Sequence, residues 1–186
     1  GMSALARYFH AAGKNVSGYD KTETKLTTAL ISEGIDIVFE DVINEKIKEL
    51  NKEETLVIYT PAIKILGILD YFNENNFTVL KRAKVLGLIT ENTECIAVAG
   101  NHGKKTTSSL GAHLCKVANL SFSGFLGGIS ENYKSNFIYN GTEMSVLEAD
   151  EYDRSFLNLS PDWAIVTSID ADHLDIYGDT ETIEQS

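Results

Sequence analysis

Long apolar runs are missing from this 186-residue sequence. None reaches the roughly 18 residues that a membrane span requires. Nothing at its start has the order of a secretory signal, so the reading is of a cytoplasmic chain with no membrane partner. Cysteine is scarce. Cys95 and Cys115 both sit in apolar stretches, match no metal or redox spacing, and read as buried thiols in a reducing compartment. Basic residues are also short, 16 Lys and Arg against 27 Asp and Glu, for a formal net charge of −11. That balance disfavours sequence-independent binding to DNA or RNA, although a local basic loop can still hold a small phosphorylated ligand. Internal repeats and low-complexity linkers are absent too. What remains is 43% hydrophobic and 23% charged, enough to bury a core in one large domain or two small ones.

Two kinds of segment alternate along the chain. Met2, Leu5, Ala6, Phe9 and Ala12 fit a helix that Gly13 ends, with His10 a surface residue near its close. Further helices are predicted over 26–33, 42–50, 65–73, 83–89 and 106–117. Strands are predicted over 15–20, 35–39, 55–59, 77–80, 95–99, 122–125, 137–139, 145–147 and 163–167. Short joints marked by Gly, Asn or Pro separate them, the pattern of a parallel α/β sheet. Leu56 to Tyr59 lacks polar alternation, as expected of a strand covered on both faces. A joint near 90–93 divides the sequence into a domain over 1–90 and the start of a second over 91–186. The chain opens directly in helical periodicity and stops in polar helix-like sequence, so a fragment is expected.

The most informative segment runs from Val98 through Gly100, Asn101, His102, Gly103, Lys104, Lys105 and Thr106 to Ser109. A buried strand passes into a glycine-bracketed turn, then a lysine, then a helix start whose hydroxyls would cap it. Such a turn aims consecutive backbone N–H groups at one anion, and the helix dipole adds positive potential. Val98 stands where the longer phosphate-loop pattern has its first glycine, so this is the shorter Gly-x-x-Gly-Lys form. A plain turn with a helix cap fits that string alone; its place between strand and helix favours a nucleotide.

Glu148, Asp150, Glu151 and Asp153 follow a second buried strand, and Asp170, Asp172, His173 and Asp175 follow a third. Carboxylates at strand C-termini face the crevice where α/β folds bind ligands, and Mg²⁺ favours such oxygens beside substrate phosphates. Either cluster alone also fits a solvated acidic loop. The three features together point to Mg²⁺-dependent ATP chemistry. His113 reads as structural, and Phe156 and Trp163 as core.

In this order the residues resemble the Mur ligase family, in the branch that joins L-alanine to UDP-N-acetylmuramate. The resemblance is carried by Gly1 to Arg7, Gly18-Tyr19-Asp20, Tyr59-Thr60-Pro61-Ala62, Ala99 to Lys104, Phe125-Leu126-Gly127-Gly128, Glu148 to Glu151 and Asp170 to Asp175. It implies a Rossmann-like N-terminal domain lacking its first strand, followed by part of a P-loop ATPase-type α/β central domain, with the C-terminal domain absent. It also implies an ATP-dependent ligase of peptidoglycan precursor synthesis that works through an acyl phosphate. Lys104, Glu148 and His173 would be catalytic, Glu148 and His173 as Mg²⁺ ligands. ATP would be held by Gly100 to Thr106. Gly1, Met2, Ser3, Asp20, Thr60, Phe125, Gly127 and Gly128 would meet the UDP-sugar substrate. The peptide-recycling ligase of the same family and a non-catalytic nucleotide-binding module are the alternatives.

Two departures stand out. Asn101 and Lys105 replace threonines of the family loop, the second of which offers a hydroxyl to Mg²⁺. An ammonium cannot be a metal ligand, so metal affinity should suffer unless Lys105 turns outward or Thr106 substitutes. The truncations imply a chain that is inactive or only weakly nucleotide-binding by itself. The sheet position left by the absent first strand suggests a homodimer.

Overall fold

A computed structural model describes residues 1–63, 66–149 and 156–168. The chain divides into two compact units, Met2–Val85 and a second from Leu86 onward that also takes in Gly1.

In the first unit helices and strands alternate: α1 (Met2–Ala11), β1 (Ser17–Tyr19), α2 (Lys25–Ser32), β2 (Asp36–Val38), α3 (Glu45–Lys48), β3 (Leu56–Tyr59), α4 (Gly67–Glu74) and β4 (Thr78–Lys81). Local sequence sets most boundaries. Thr24 and Thr27 form a reciprocal capping box at the start of α2. At its end Gly34 has φ +93 and Ile35 N–H reaches back to Leu30 O at 3.0 Å, the left-handed cap that glycine adopts without steric cost. Asn76 closes α4 in the same way, with φ 58 and Phe77 N–H on Phe72 O. The N-cap residue of α4, Leu66, offers no side-chain cap. Asp41 supplies it from a distance, its carboxylate accepting from Gly67 N–H at 2.7 Å and Ile68 N–H at 2.8 Å. The Arg7 guanidinium grips both oxygens of Glu33 at 2.7 Å, tying α1 to the end of α2.

The strands form two separate parallel pairs, β1–β2 and β3–β4. Leu66, Ile68 and Phe72 make a small core against Tyr19, Val57, Phe77 and Val79. None of these four strands is fully buried, so the expectation that helices cover both faces of 56–59 is not met; Leu56 is exposed. The expected helix over 42–50 shrinks to four residues, because the Asn44 side chain takes Ile47 N–H and starts the helix late.

The second unit contains β5 (Glu94–Ala99), α6 (Lys104–Val117), β6 (Phe122–Ser130), β7 (Ser135–Tyr139), β8 (Met144–Glu148) and β9 (Trp163–Val166). The helix α5 (Arg82–Thr90) spans the point of division. These strands make one five-stranded sheet in the order β7-β6-β8-β5-β9, parallel except for β6–β7. The exception follows from a short connection, since only four residues join β6 to β7 and a parallel return needs a crossover. One face of α6 presents Ser108, Ala112 and Cys115 at helical spacing. Ala112 and Cys115 join Phe122, Leu126, Ile138 and Val146 in the core.

Cys95 and Cys115 are free and buried, as read from the sequence. Burial pushes both thiols above their ordinary range. Trp163 departs from its reading as core: it is 62% exposed on β9, the outermost strand among the described residues, with its indole N–H on Glu94 Oε1 at 3.0 Å. Among the described residues no helix is long and apolar enough to cross a membrane.

Candidate functional site

The second unit brings three sequence features to one end of its sheet. The turn after β5 carries Gly100 to Gly103, α6 begins directly at Lys104, and Glu148 is the last residue of the adjacent strand β8. The register pairs Val98 with Glu148, and Ala149 N–H donates to Val98 O at 2.9 Å.

Close packing fixes the turn. Gly100 has φ +120, and a Cβ there would fall 2.3 Å from Thr167 Oγ1 and 2.8 Å from both the N and O of Ser168. Only glycine satisfies both the dihedral and the space. Gly103, with φ +85, is the N-cap of α6 and makes no side-chain cap bond. The helix therefore starts two residues before the expected Thr106, and hydroxyls do not cap it. The first helical bond runs from Thr107 N–H to Gly103 O at 2.9 Å. Lys104 and Lys105 consequently occupy the first turn.

The loop amides are not all aimed at one point. Asn101 N–H donates to Ser168 O at 3.1 Å and His102 N–H to Ser168 Oγ at 3.0 Å. The Thr167 hydroxyl meets the carbonyls of Ala99 and His102, and the Lys104 ammonium donates to Gly100 O. The loop is thus laced to the end of β9. What faces outward is the first turn of α6, where helix geometry leaves the N–H groups of Lys105 and Thr106 without intrahelical acceptors. Both residues are exposed. A helix start with two lysines and open amides is a seat for an anion.

Glu148 is held beside this turn. Its Oε1 accepts from Ser108 Oγ and from Gly127 N–H, each at 2.9 Å. Ser108 is fully buried, four residues beyond Lys104 on the inward face of α6. Sequence reasoning missed it, although its spacing with Ala112 and Cys115 marked that face. A Cβ at Gly127 would lie 2.1 Å from Glu148 Oε2, so only glycine leaves that carboxylate where it stands. Gly127 and Gly128 fall where the β6–β7 register shifts, between Phe125 and Ser130. Gly128 lies beside Lys105: its notional Cβ is 3.8 Å from Lys105 Cδ. Phe125, two residues before Gly127, turns into the core, 6% exposed with its ring 5.3 Å from Phe137.

The described donors fit a divalent cation poorly. No group of three or more His, Cys, Asp or Glu side chains is gathered among the described residues. Glu148 brings one carboxylate, held at Oε1 by two hydrogen bonds, and an ammonium-bearing side chain stands at position 105. His173 and the rest of both acid clusters, Asp150 to Asp153 and Asp170 to Asp175, lie outside the described residues. His113 has a structural partner, its Nδ1 lying 2.8 Å from Tyr133 Oη.

The other predicted residues are on the first unit or at the chain start. Gly1 precedes α1, and Met2 and Ser3 lie in its first turn, with Ser3 buried. Asp20 follows β1 and accepts from Thr22 N–H at 3.0 Å. Thr60 follows β3, its hydroxyl accepting from Ala62 N–H at 3.3 Å. Asp20 and Thr60 thus stand at C-terminal ends of parallel strands, the edge where such sheets take ligands.

Comparison with known proteins adds the family. A UDP-N-acetylmuramate–L-alanine ligase of Flavobacterium psychrophilum is 56% identical over 187 aligned residues, covering 100% of this chain. The chain spans 42% of that relative's length. Among solved structures, a UDP-N-acetylmuramate-alanine ligase of Thermotoga maritima matches at TM-score 0.78 and 30% identity, over 95% of this chain and 41% of that one. A UDP-N-acetylmuramate:L-alanyl-gamma-D-glutamyl-meso-diaminopimelate ligase of Neisseria meningitides matches at TM-score 0.80 and 25% identity, over 99% and 62%. The Mur ligase catalytic-domain model matches residues 1–93 and the Mur ligase middle-domain model residues 98–186, so the chain belongs to the Mur ligase family.

Proposed function

We propose that this chain is part of an ATP-dependent ligase that joins L-alanine to UDP-N-acetylmuramate in cytoplasmic peptidoglycan precursor synthesis. The domain over 1–90 would take the UDP-sugar, with Gly1, Met2, Ser3, Asp20 and Thr60 as its contacts. The domain over 91–186 would take ATP. The observation that carries the reading is the helix start at Lys104, with its two lysines and open amides beside Glu148 and Gly127.

In this reading the substrate carboxylate attacks the γ-phosphorus of ATP, the bond to the bridging oxygen breaks, and ADP leaves. Lys104 and the first-turn amides hold and neutralise the phosphoryl group as charge moves across it. The amine of L-alanine then attacks the acyl-phosphate carbonyl, and the tetrahedral intermediate expels phosphate to leave an amide. Glu148 and the Gly127–Gly128 backbone border the place where these atoms would meet. Magnesium is implied by the resemblance, but the described residues set one carboxylate, Glu148, beside the lysine at position 105, which does not suit it. A homodimer belongs to the same proposal.

The peptide-recycling ligase is the second reading, favoured by the TM-score of 0.80 to such an enzyme. The identity of 56% to an alanine-adding relative, against 25%, supports the first. The test is phosphate release from ATP by the protein that carries this sequence. Release that needs both UDP-N-acetylmuramate and L-alanine is expected. Release with the tripeptide but not with L-alanine transfers the assignment to the second reading, and release with neither overturns both.

A further inference from the structure

We propose that Lys105 lets this phosphate site hold its nucleotide without a divalent cation, two ammonium groups on the first turn of α6 supplying the positive charge. The proposal rests on the phosphate-loop reading and concerns how that site neutralises its ligand.

The placement of the two lysines carries it. Because Gly103 caps α6 without a side chain, the helix begins at Lys104, and both lysines fall in its first turn. Their side chains leave that turn in different directions. Lys104 reaches back over the loop to the Gly100 carbonyl. Lys105 runs the other way, its Cδ 3.8 Å from the position a Gly128 Cβ would take. The residue is exposed, and its stem runs along the β6 side of the turn. An anion on the open amides of Lys105 and Thr106 would therefore meet a cation on either side.

A divalent cation in the same seat would meet the opposite conditions. Like charges about 4 Å apart repel by ~1 kcal/mol per unit charge product in water, and more where water is excluded. Against that repulsion stands the single negative charge of Glu148, its Oε1 held by Ser108 and Gly127. The chemistry that suits this seat is a free polyphosphate tail rather than its magnesium complex.

Equilibrium binding of ATP to the 186-residue chain, measured by calorimetry in Mg²⁺ and in EDTA, tests this. Wild-type affinity is expected to agree within about threefold between the two buffers. Lys105→Thr, at an exposed position, should bind about tenfold more weakly in EDTA, the scale of one charge-assisted hydrogen bond, and recover in Mg²⁺. Lys105→Met should stay weak in both. Wild-type binding that tightens about tenfold or more with Mg²⁺, or Lys105→Met binding like wild type in EDTA, overturns the proposal. Lys104→Met separates the two levels. If wild type binds ATP and Lys104→Met binds it equally well, the phosphate-loop reading itself fails and takes this one with it. Absence of ATP binding in every variant and buffer has the same consequence.

Discussion

At the scale of single residues, Gly100 and Gly127 look alike in sequence and differ in what a methyl group would strike. At Gly100 the obstacle is backbone, the N and O of Ser168 at 2.8 Å, together with φ +120. At Gly127 it is the carboxylate end of Glu148, a movable group. Gly100→Ala is therefore expected to destabilise the second unit by roughly 1–3 kcal/mol, the cost of a strained backbone position. Gly127→Ala should leave the melting temperature near wild type while displacing Glu148 and weakening ATP binding. Thermal denaturation of both variants beside ATP calorimetry checks the contrast. An equal loss of stability in the two would contradict it. The sequence made both glycines legible as candidates, but not the reason for either. That reason is in long-range contacts to Ser168 and Glu148, 68 and 21 residues away in the chain, which no local pattern carries. Ser108 was hidden for the same cause, since its partner Glu148 lies on another strand.

At the scale of elements, periodicity and end signals located the helices and strands, and errors fell where a distant or unexpected group sets the boundary. The start of α4 is a clear case. Leu66 is no N-cap by type, and the capping carboxylate comes from Asp41. Asp41→Ala should cost about 0.5–2 kcal/mol, the usual range for losing a helix cap, with Asp41→Asn recovering part of it. Urea denaturation measures this, and stability unchanged in Asp41→Ala would remove the carboxylate from the account of α4. The start of α6 was misplaced by the opposite error. Thr106, Thr107, Ser108 and Ser109 invite a hydroxyl cap, yet Gly103 in the left-handed region begins the helix. That shift of two residues puts Lys105 on the first turn, so a boundary detail decides which charge the anion meets. The apolar run of β9 read as core, whereas its strand pairs with β5 alone among the described residues and leaves Trp163 exposed.

At the scale of the whole molecule, the scarcity of basic residues sharpens the site. With a formal net charge of −11, two adjacent lysines on a helix start are a local inversion of the prevailing sign. The α/β class and the family were legible because alternation and ordered motifs extend along the entire chain. The division of the first unit's strands into two pairs was not, because strand periodicity says nothing about which edges meet. Asp20 and Thr60 remain proposed contacts of the first unit, and Lys104, Lys105 and Glu148 of the second. ATP is expected to place its phosphates on the first turn of α6, beside Glu148 and Gly127. Titration of the ¹⁵N-labelled chain with ATP, followed by amide chemical shifts, tests it most directly. Saturable shifts are expected to concentrate at Lys105, Thr106, Gly127 and Glu148. Saturable shifts confined to residues of the Met2–Val85 unit, or none at millimolar ATP, would contradict it.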